Sequence, residues 1–265
     1  MVDRELIDGC AEAVQAGAAE LRARWGTVRT IDKKGTIDLV TDADRASEAA
    51  ILAVLRERFP GAAILAEESG ASGPAGARGG LQFYVDPLDG TTNYAHGLPH
   101  FNVTVAVADG EGLAAAATID PMRGELFLAT RGGGATLNGL PIRQAGCASL
   151  EEALLVTGFP YDVHRESAEV LRRLAGFVTR AQGIRRLGAA ALDLAYVACG
   201  RLDGYWEGSL KPWDSAAGIL ICREAGALVS DFEGGERIFE TGCVVACAPG
   251  LHARMLEVLA AARRG

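Results

Sequence analysis

Two aspartates, Asp86 and Asp89, lie three residues apart where an apolar strand gives way to a turn rich in glycine and threonine. Pro87 fixes φ and has no N–H to donate, so it predicts that strand pairing ends and the chain turns here. In such a turn both carboxylates and the carbonyl of Leu88 can face one point. Mg²⁺ prefers hard oxygen ligands of this kind.

The next residues, Gly90-Thr-Thr92, are typical of a helix start that binds phosphate. Gly90 lets the backbone approach a ligand closely, and the first amides of a helix attract an anion. The run Asp-Gly-Thr-Thr-Asn is also typical of an ordinary turn with a helix cap. The segment alone therefore leaves both interpretations open.

Length and composition restrict the class of protein. The chain has 265 residues, 49% of them hydrophobic, which predicts one large domain over 1–265. Its net charge of −8 argues against a nucleic-acid partner, because nucleic-acid-binding proteins usually carry a basic face. No apolar run reaches the length of a membrane span and the N-terminus lacks a signal-peptide pattern, so we expect no membrane partner and a cytoplasmic location.

The cysteines and histidines do not predict a metal site. The six cysteines are scattered, mostly among apolar neighbours, which is typical of small core residues. His96 and His100 are separated by Pro99, which breaks the helix that would align them on one ion. We therefore expect loop or packing roles for both histidines.

The N-terminal third predicts two helices and a strand. Apolar residues recur with helical spacing over about the first 25 residues and again from Asp44 to Phe59. A short strand at 62–66 leads to the acidic pair Glu67-Glu68, and the stretch 70–80 is so rich in glycine, alanine and serine that it predicts a mobile loop. The pair of acids therefore lies at a strand end.

The middle of the chain changes to a strand pattern. Three alternating runs between 102 and 130, joined by tight turns, predict an antiparallel meander. Asn138-Gly139 predicts a further hairpin and Gly132–Gly134 a bulge. Beyond residue 150 strands and helices alternate, as is typical of an α/β unit.

Asp214 follows Pro212 at a predicted helix start, where the helix dipole favours an ionised carboxylate. A simple acid at a helix N-terminus is the plain interpretation. Trp213 and the apolar helix that follows instead favour burial. A buried carboxylate needs a partner, and a metal ion is one such partner.

Three separated segments resemble the inositol monophosphatase family: Ala66-Glu-Glu-Ser69, Val85-Asp-Pro-Leu-Asp-Gly-Thr-Thr-Asn-Tyr94 and Leu210-Lys-Pro-Trp-Asp-Ser-Ala-Ala-Gly218. Asp38–Asp44 and Arg186–Asp193 are also similar to family segments. The resemblance implies an α+β fold, the layered α-β-α-β-α sandwich of the inositol monophosphatase and fructose-1,6-bisphosphatase type. It also implies a homodimer.

Within that fold we expect an N-terminal lobe, 1–145, that carries the metal site. A C-terminal lobe, 146–265, would supply Asp214 and the substrate wall. By the resemblance, the protein would use Mg²⁺ to hydrolyse small phosphate monoesters.

The resemblance further implies roles for individual residues. Two to three Mg²⁺ ions would be held by the side chains of Glu67, Asp86, Asp89 and Asp214 and by the carbonyl of Leu88. Thr91, supported by Asp44, would act with Glu67 to orient the attacking water. The substrate would be contacted by the amides of Gly90 and Thr91 and by Ala190, Glu207 and Lys33.

The implied substrate is a small phosphorylated polyol or sugar, and Thr92 and Glu207 favour myo-inositol 1-phosphate. Fructose 1,6-bisphosphate, histidinol phosphate and nucleotide phosphates are alternatives, because Glu207-Gly-Ser-Leu210 departs from the usual family run Glu-Ile-Gly-Leu. A regulatory binding protein that keeps the fold is an alternative of another class. Inhibition by lithium is implied by the family alone.

Overall fold

The computed structural model describes residues 2–26, 31–33, 39–73, 80–160 and 163–264. The helices of this part of the chain are α1 (Val2–Arg24), α2 (Asp42–Arg58), α3 (Thr91–Ala95), α4 (Val163–Val178), α5 (Ala190–Ala198), α6 (Pro212–Glu224), α7 (Ile238–Thr241) and α8 (His252–Arg264). The two helices predicted for the N-terminal third are confirmed as α1 and α2.

The strands up to residue 141 are β1 (Ile31–Lys33), β2 (Leu39–Thr41), β3 (Ala63–Ala66), β4 (Gly70–Ser72), β5 (Gln82–Asp89), β6 (Asn102–Asp109), β7 (Gly112–Asp120), β8 (Glu125–Thr130), β9 (Gly134–Leu137) and β10 (Leu140–Pro141). The later strands are β11 (Leu154–Thr157), β12 (Gly183–Arg185), β13 (Gly204–Glu207), β14 (Leu228–Ser230) and β15 (Val244–Cys247).

Five layers, α-β-α-β-α, enclose three hydrophobic cores. The first core lies between the α1–α2 pair and an eight-stranded sheet, and the second surrounds α5 and α6 between that sheet and a five-stranded sheet. The third lies between the five-stranded sheet and the α4–α8 pair. Along β6, Val105 and Val107 face the first core while Ala106 faces the second, as the two-residue period of a strand requires. The predicted α+β sandwich is confirmed.

The eight-stranded sheet has the order β10-β9-β8-β7-β6-β5-β3-β4. Strands β6, β7 and β8 form the predicted antiparallel meander. Asn138 and Gly139 both have positive φ, 50° and 78°, as a two-residue hairpin turn of type I′ requires, and they join β9 to β10.

The end of β5 differs from the prediction. We expected pairing to stop at Pro87, yet β5 continues to Asp89 alongside β6. Asp86 is paired with Thr104 and Asp89 with Asn102, so β5 holds one extra residue in a bulge. Pro87 lies within this irregular stretch between Asp86 and Asp89, so its missing N–H does not interrupt a regular ladder pair.

Gly132–Gly134 form a turn between β8 and β9 rather than the predicted bulge, with the Gly133 amide donating to the carbonyl of Thr130 at 2.9 Å. The amides of Gly132 and Gly134 donate to the carboxylate of Glu224 at 2.8 and 2.9 Å. Glu224 ends α6, so this contact ties that helix to the large sheet.

The five-stranded sheet has the order β12-β11-β13-β15-β14, and β11 runs parallel to both β12 and β13. The carboxyl ends of these three strands therefore lie at one edge of the sheet. Crevices at such edges are where α/β sheets bind ligands.

The expectations for the cysteines and for the stretch 70–80 are confirmed only in part. Cys10, Cys222 and Cys247 are buried, as predicted, whereas the other three cysteines are half-buried. Of the stretch 70–80, Gly70–Ser72 form β4 and residues 74–79 lie outside the described part. In the described helices, none is long and apolar enough to cross a membrane. The division into lobes at 145/146 stays a prediction.

Gly218 in α6 lies directly against Leu194 in α5, where a Cβ would be 2.6 Å from the Leu194 Cβ. Gly218→Ala must therefore push the two helices apart, and we expect the free energy of unfolding in urea to fall by about 1 to 3 kcal/mol. Leu194→Gly is the control, because it removes every Leu194 side-chain atom that the new methyl group would meet, the Cβ included. In that background Gly218→Ala should lower the free energy of unfolding by less, because the clash is gone and alanine favours a helix over glycine by about 1 kcal/mol. An equal cost in both backgrounds contradicts the explanation.

Candidate active site

Glu67 and Asp86 are brought together by the parallel pairing of β3 with β5. Ala66 is level with Val85, so the two acids each follow a paired residue at the same edge of the sheet. The Glu67 amide donates to the Val85 carbonyl at 3.1 Å, which fixes the start of the Glu67 loop. Asp86 is 2% exposed and Glu67 is half-buried.

Asp89 points from the end of β5 towards the next layer. Its carboxylate accepts hydrogen bonds from the Ala190 and Ala191 amides at 3.1 and 2.7 Å, and from the Asn102 side chain at 2.7 Å. A carboxylate at a helix N-terminus is stabilised by the unpaired amides there. Asp89 therefore joins the large sheet to the start of α5.

Asp214 lies in the first turn of α6, and Pro212 occupies the first helical position as predicted. The Asp214 carboxylate accepts from the Lys211 amide at 2.7 Å, which caps the helix. The residue is half-buried and so less enclosed than the sequence suggested.

The four acids of this candidate metal site repel one another. Burial raises the pKa of Asp86 well above its ordinary value, and neighbouring negative charges raise it further; these belong to Glu67, Asp89 and Asp214. Burial also raises the pKa of Asp214, and it raises that of Asp89 although three hydrogen bonds to its carboxylate oppose the change. The charge at this corner therefore favours a cation.

The donor chemistry fits a hard divalent cation such as Mg²⁺, because every candidate ligand offers oxygen. Among the residues that the structure describes, however, no three acidic, histidine or cysteine side chains are gathered into a ready-made cage. One carboxylate oxygen of Asp86 and one of Asp214 accept a hydrogen bond from a backbone amide. Both carboxylate oxygens of Asp89 do so. Oδ2 of Asp89 accepts from both Ala191 and Asn102, whereas Oδ1 of Asp89 and the oxygens of Asp86 and Asp214 each keep at least one lone pair for an ion.

Thr91 lies beside these acids and is 5% exposed. Its hydroxyl is 3.1 Å from a carboxylate oxygen of Asp44 and 3.0 Å from the Leu88 carbonyl oxygen. A hydroxyl has one hydrogen, so when Asp44 accepts it the Thr91 lone pairs are left to accept from another donor. The structure thus brings the predicted pair Thr91 and Asp44 together.

Helix α2 supports the site through polar residues that we did not predict. Besides Asp44, Ser47 donates to the Pro87 carbonyl at 2.7 Å, and the carboxylate of Glu48 accepts from the Glu68 amide at 2.9 Å. All three side chains are buried. Their spacing, i, i+3 and i+4, places them on one helix face, and polar residues within an apolar helical stripe are the signal that could have found them.

The turn after Asp89 depends on a glycine. Gly90 has a φ of 95°, a left-handed conformation that other residues rarely adopt, and α3 begins at the next residue. Asn93 then donates to the carbonyls of His100 and Leu187 at 2.7 and 2.8 Å. The turn is thereby fixed against the loop that leads into α5.

Two of the residues predicted for the substrate wall lie at the end of β13 and the start of α5. Glu207 accepts a hydrogen bond from the Tyr205 hydroxyl at 2.7 Å, and its carboxylate occupies the space where a side chain at Gly158 would lie. Burial raises the pKa of Glu207 to about 8. Ala190 is nearly buried, at 8% exposure, in the first turn of α5. Lys33 ends β1, but its side chain lies outside the described part, so its assignment stays a prediction.

A buried pair behind the site was also missed from the sequence. Nε2 of His100 is 3.2 Å from a carboxylate oxygen of Asp193, and both residues are buried. The packing role expected for His100 is confirmed, while no pattern around Asp193 distinguished it from the apolar face of α5. Within the described ranges, the second Asp193 oxygen has no hydrogen-bond partner.

Comparisons with known proteins agree over nearly the whole chain. A model described as the inositol monophosphatase family matches residues 3–264. The inositol-1-monophosphatase of Synechocystis sp. is 44% identical over 251 residues, 94% of this chain and 87% of that protein. The Nus factor SuhB of Escherichia coli (strain K12) is 45% identical over 224 residues, 84% of this chain and 83% of that protein. The solved inositol monophosphatase of Anabaena (Nostoc) sp. is similar with a TM-score of 0.88 and 37% identity, over 98% of this chain and 96% of that one.

Proposed function

This chain belongs to the inositol monophosphatase family, and we propose that it is a Mg²⁺-dependent phosphatase that hydrolyses myo-inositol 1-phosphate to myo-inositol and phosphate. One observation carries the proposal: mutually repelling acids from β5, α6 and the end of β3 lie beside a buried hydroxyl that is paired with a carboxylate. Such a site suits cations, a phosphate ester and a water that must be oriented.

When bound, Mg²⁺ would offset the negative charge of the ester and lower the pKa of water. The proposed ligands are Glu67, Asp86, Asp89, Asp214 and the carbonyl of Leu88. The phosphate would lie at the amides of Gly90 and Thr91, where the left-handed Gly90 allows close approach. The ring hydroxyls would lie against Ala190 and Glu207.

The Thr91 hydroxyl would donate to Asp44 and accept a hydrogen bond from the attacking water, with Glu67 on the other side of that water. This arrangement turns a water lone pair towards phosphorus. The water oxygen would then bond to phosphorus while water gives up a proton to the Glu67 carboxylate; the ester P–O bond breaks, and the leaving alkoxide oxygen takes up a proton to become the alcohol. No covalent enzyme intermediate is needed.

The test is phosphate release from myo-inositol 1-phosphate, fructose 1,6-bisphosphate, histidinol phosphate and adenosine 3′,5′-bisphosphate, with Mg²⁺ or with EDTA. We expect release from myo-inositol 1-phosphate that disappears with EDTA and returns when Mg²⁺ is added. Lithium is expected to lower this rate. Release that chelation leaves unchanged contradicts the metal-dependent mechanism, and a faster rate with another ester reassigns the substrate.

The relatives named Nus factor SuhB favour a second candidate, a regulatory protein that keeps the family fold. The same panel separates the two, because folded protein that releases phosphate from none of the esters in Mg²⁺ supports the regulatory role. The homodimer, the cytoplasmic location and the absence of a nucleic-acid partner stay predictions. Light scattering after size-exclusion chromatography checks the homodimer.

A further inference from the structure

The start of α5 is held by residues from other parts of the chain. Its N-cap residue, Ala189, has no side-chain acceptor for the first amides of the helix. The carboxylate of Asp89 takes that place, because it accepts from the amides of Ala190 and Ala191. The orientation of Asp89, one of the proposed Mg²⁺ ligands, is therefore coupled to the position of α5.

A second contact joins α5 to the loop before β6. One turn after the start of the helix, a carboxylate oxygen of Asp193 lies 3.2 Å from Nε2 of His100. His100 comes two residues before Asn102, whose side chain donates to Asp89 at 2.7 Å. Asp89, α5 and the segment from His100 to Asn102 thus form a closed ring of contacts. The contact between His100 and Asp193 completes this ring.

The turn that would receive phosphate is packed inside the same arrangement. A Cβ on Gly90 would lie 3.1 Å from the carbonyl oxygen of His100 and 3.3 Å from the Cβ of Ala189. Asn93 spans the gap between loop and helix, donating to the carbonyls of His100 and Leu187 at 2.7 and 2.8 Å. A change in the spacing between this loop and α5 would therefore move the turn and the aspartate that precedes it.

Both members of the pair are buried, His100 with 7% exposure and Asp193 with 0%. Burial lowers the pKa of His100 and raises that of Asp193 well above its ordinary value. Both changes favour a neutral pair that shares one proton in a hydrogen bond. A hydrogen bond weakens steeply when its atoms are misaligned, so this contact fixes the spacing of loop and helix more narrowly than apolar packing would.

We propose that His100 and Asp193 are positioning residues that hold Asp89 in the geometry that binds Mg²⁺, acting through the first turn of α5. The inference rests on the proposed function, in which Asp89 is a metal ligand. Residues that orient a metal ligand typically contribute about 10- to 100-fold to metal affinity. Neither His100 nor Asp193 is among the proposed ligands, so their contribution is to the affinity for the ion.

The experiment measures binding of Mn²⁺, an ion that takes the same oxygen ligands, from the electron paramagnetic resonance signal of the free ion and without any ester. We expect His100→Leu to raise the Kd for Mn²⁺ by about 10- to 100-fold. His100→Gln should recover most of the affinity, because its amide nitrogen can take the place of Nε2. The Mg²⁺ concentration that gives half-maximal phosphate release should rise by the same factor as the Kd.

The other member of the pair is tested in the same way. Asp193→Leu should weaken Mn²⁺ binding as much as His100→Leu, whereas Asp193→Asn can keep the hydrogen bond and should bind nearly as tightly as the unmodified protein. The variant with both leucines should bind no more weakly than either single variant, because each substitution removes the same bond.

His252→Leu is the matched control. Nε2 of His252 lies 2.8 Å from Oγ of the buried Ser230, so this histidine also bonds to a buried side chain, but it begins α8 in the outer α4–α8 layer. Its loss should lower the free energy of unfolding in urea, measured in EDTA, and leave the Kd for Mn²⁺ unchanged. A purely structural role of His100 would give the same result as this control.

The possible failures are distinct. If folded His100→Leu or Asp193→Leu binds Mn²⁺ as tightly as the unmodified protein, the inference is wrong and the proposed function stands. If His100→Gln loses as much affinity as His100→Leu, the shape of the ring matters rather than the bond, and the inference is also wrong. If His100→Leu does not fold, the two Asp193 variants decide, and equal affinities in both contradict the inference.

The proposed function fails in other ways. If the unmodified protein binds no Mn²⁺, the metal-dependent function fails and the inference fails with it. If Mn²⁺ binding depends on His100 as expected but no ester releases phosphate in Mg²⁺, the inference stands and the proposed phosphatase activity is wrong.

Discussion

Replacing Asp86 with asparagine is expected to abolish phosphate release, lowering kcat/KM by more than about 100-fold, the upper end of the loss typical for residues that only support a metal ligand. Asparagine keeps the shape and one carbonyl oxygen but removes the charge at the most buried of the four acids. Initial rates over a range of Mg²⁺ concentrations measure the effect. If Asp86 is a ligand, excess Mg²⁺ restores little of the rate.

The fold of Asp86→Asn is expected to survive, because the substitution removes one of several mutually repelling buried charges. In EDTA the variant should therefore unfold at the same urea concentration as the unmodified protein or at a higher one. Asp109→Asn is the matched control. Asp109 ends β6, whereas Asp86 is paired near the start of that strand, and Asp109 forms an ion pair with Arg131. Wild-type turnover in Asp86→Asn removes this residue from the proposed site.

The same reasoning applies to Asp214, which reaches the site from a different layer. Asp214→Asn is expected to abolish turnover as well, although the Lys211 amide retains an oxygen acceptor for the helix cap. Loss in both variants with intact folds would support one shared cation site. If only one of the two variants loses turnover, only that aspartate belongs to the cation site.

Local sequence patterns predicted much of this architecture because their causes are local. Helical periodicity located α1 and α2, strand alternation located the meander, and Asn138-Gly139 located the last hairpin. Each depends on side chains within a few residues of one another. The acids of the site were likewise found at element ends, where strand and helix termination can be predicted from proline and glycine.

The remaining features depend on contacts between distant segments. Pro87 was expected to end β5, but β6 continues beside it and accommodates the extra residue in a bulge. Ser47 and Glu48 acquire their role only when α2 packs against the Pro87 and Glu68 loops. The Gly132–Gly134 turn is likewise held by hydrogen bonds to Glu224, which lies at the end of α6 and about 90 residues away in the sequence. One-dimensional patterns do not contain these pairings.

Thr91→Val is expected to lower kcat by about 100- to 10,000-fold, the range typical for losing a group that positions or transfers a proton. Valine keeps the branched shape but removes the hydroxyl that lies 3.1 Å from Asp44. Because the backbone amide is unchanged, KM should move less than kcat. The loss of a buried hydrogen bond should also lower the free energy of unfolding by about 1 to 3 kcal/mol, measured in urea.

Two further variants separate chemistry from packing at this position. Thr91→Ser keeps the hydroxyl and should recover most of kcat, whereas Thr92→Val changes an exposed neighbour in the same short helix and should leave kcat within about threefold, as surface substitutions usually perturb little. Equal losses in Thr91→Ser and Thr91→Val would contradict a role for the hydroxyl alone, because they would show that the packing of the methyl group is needed as well. Recovery in the serine variant alone places the oxygen atom, held between Asp44 and the Leu88 carbonyl, in the step that orients water.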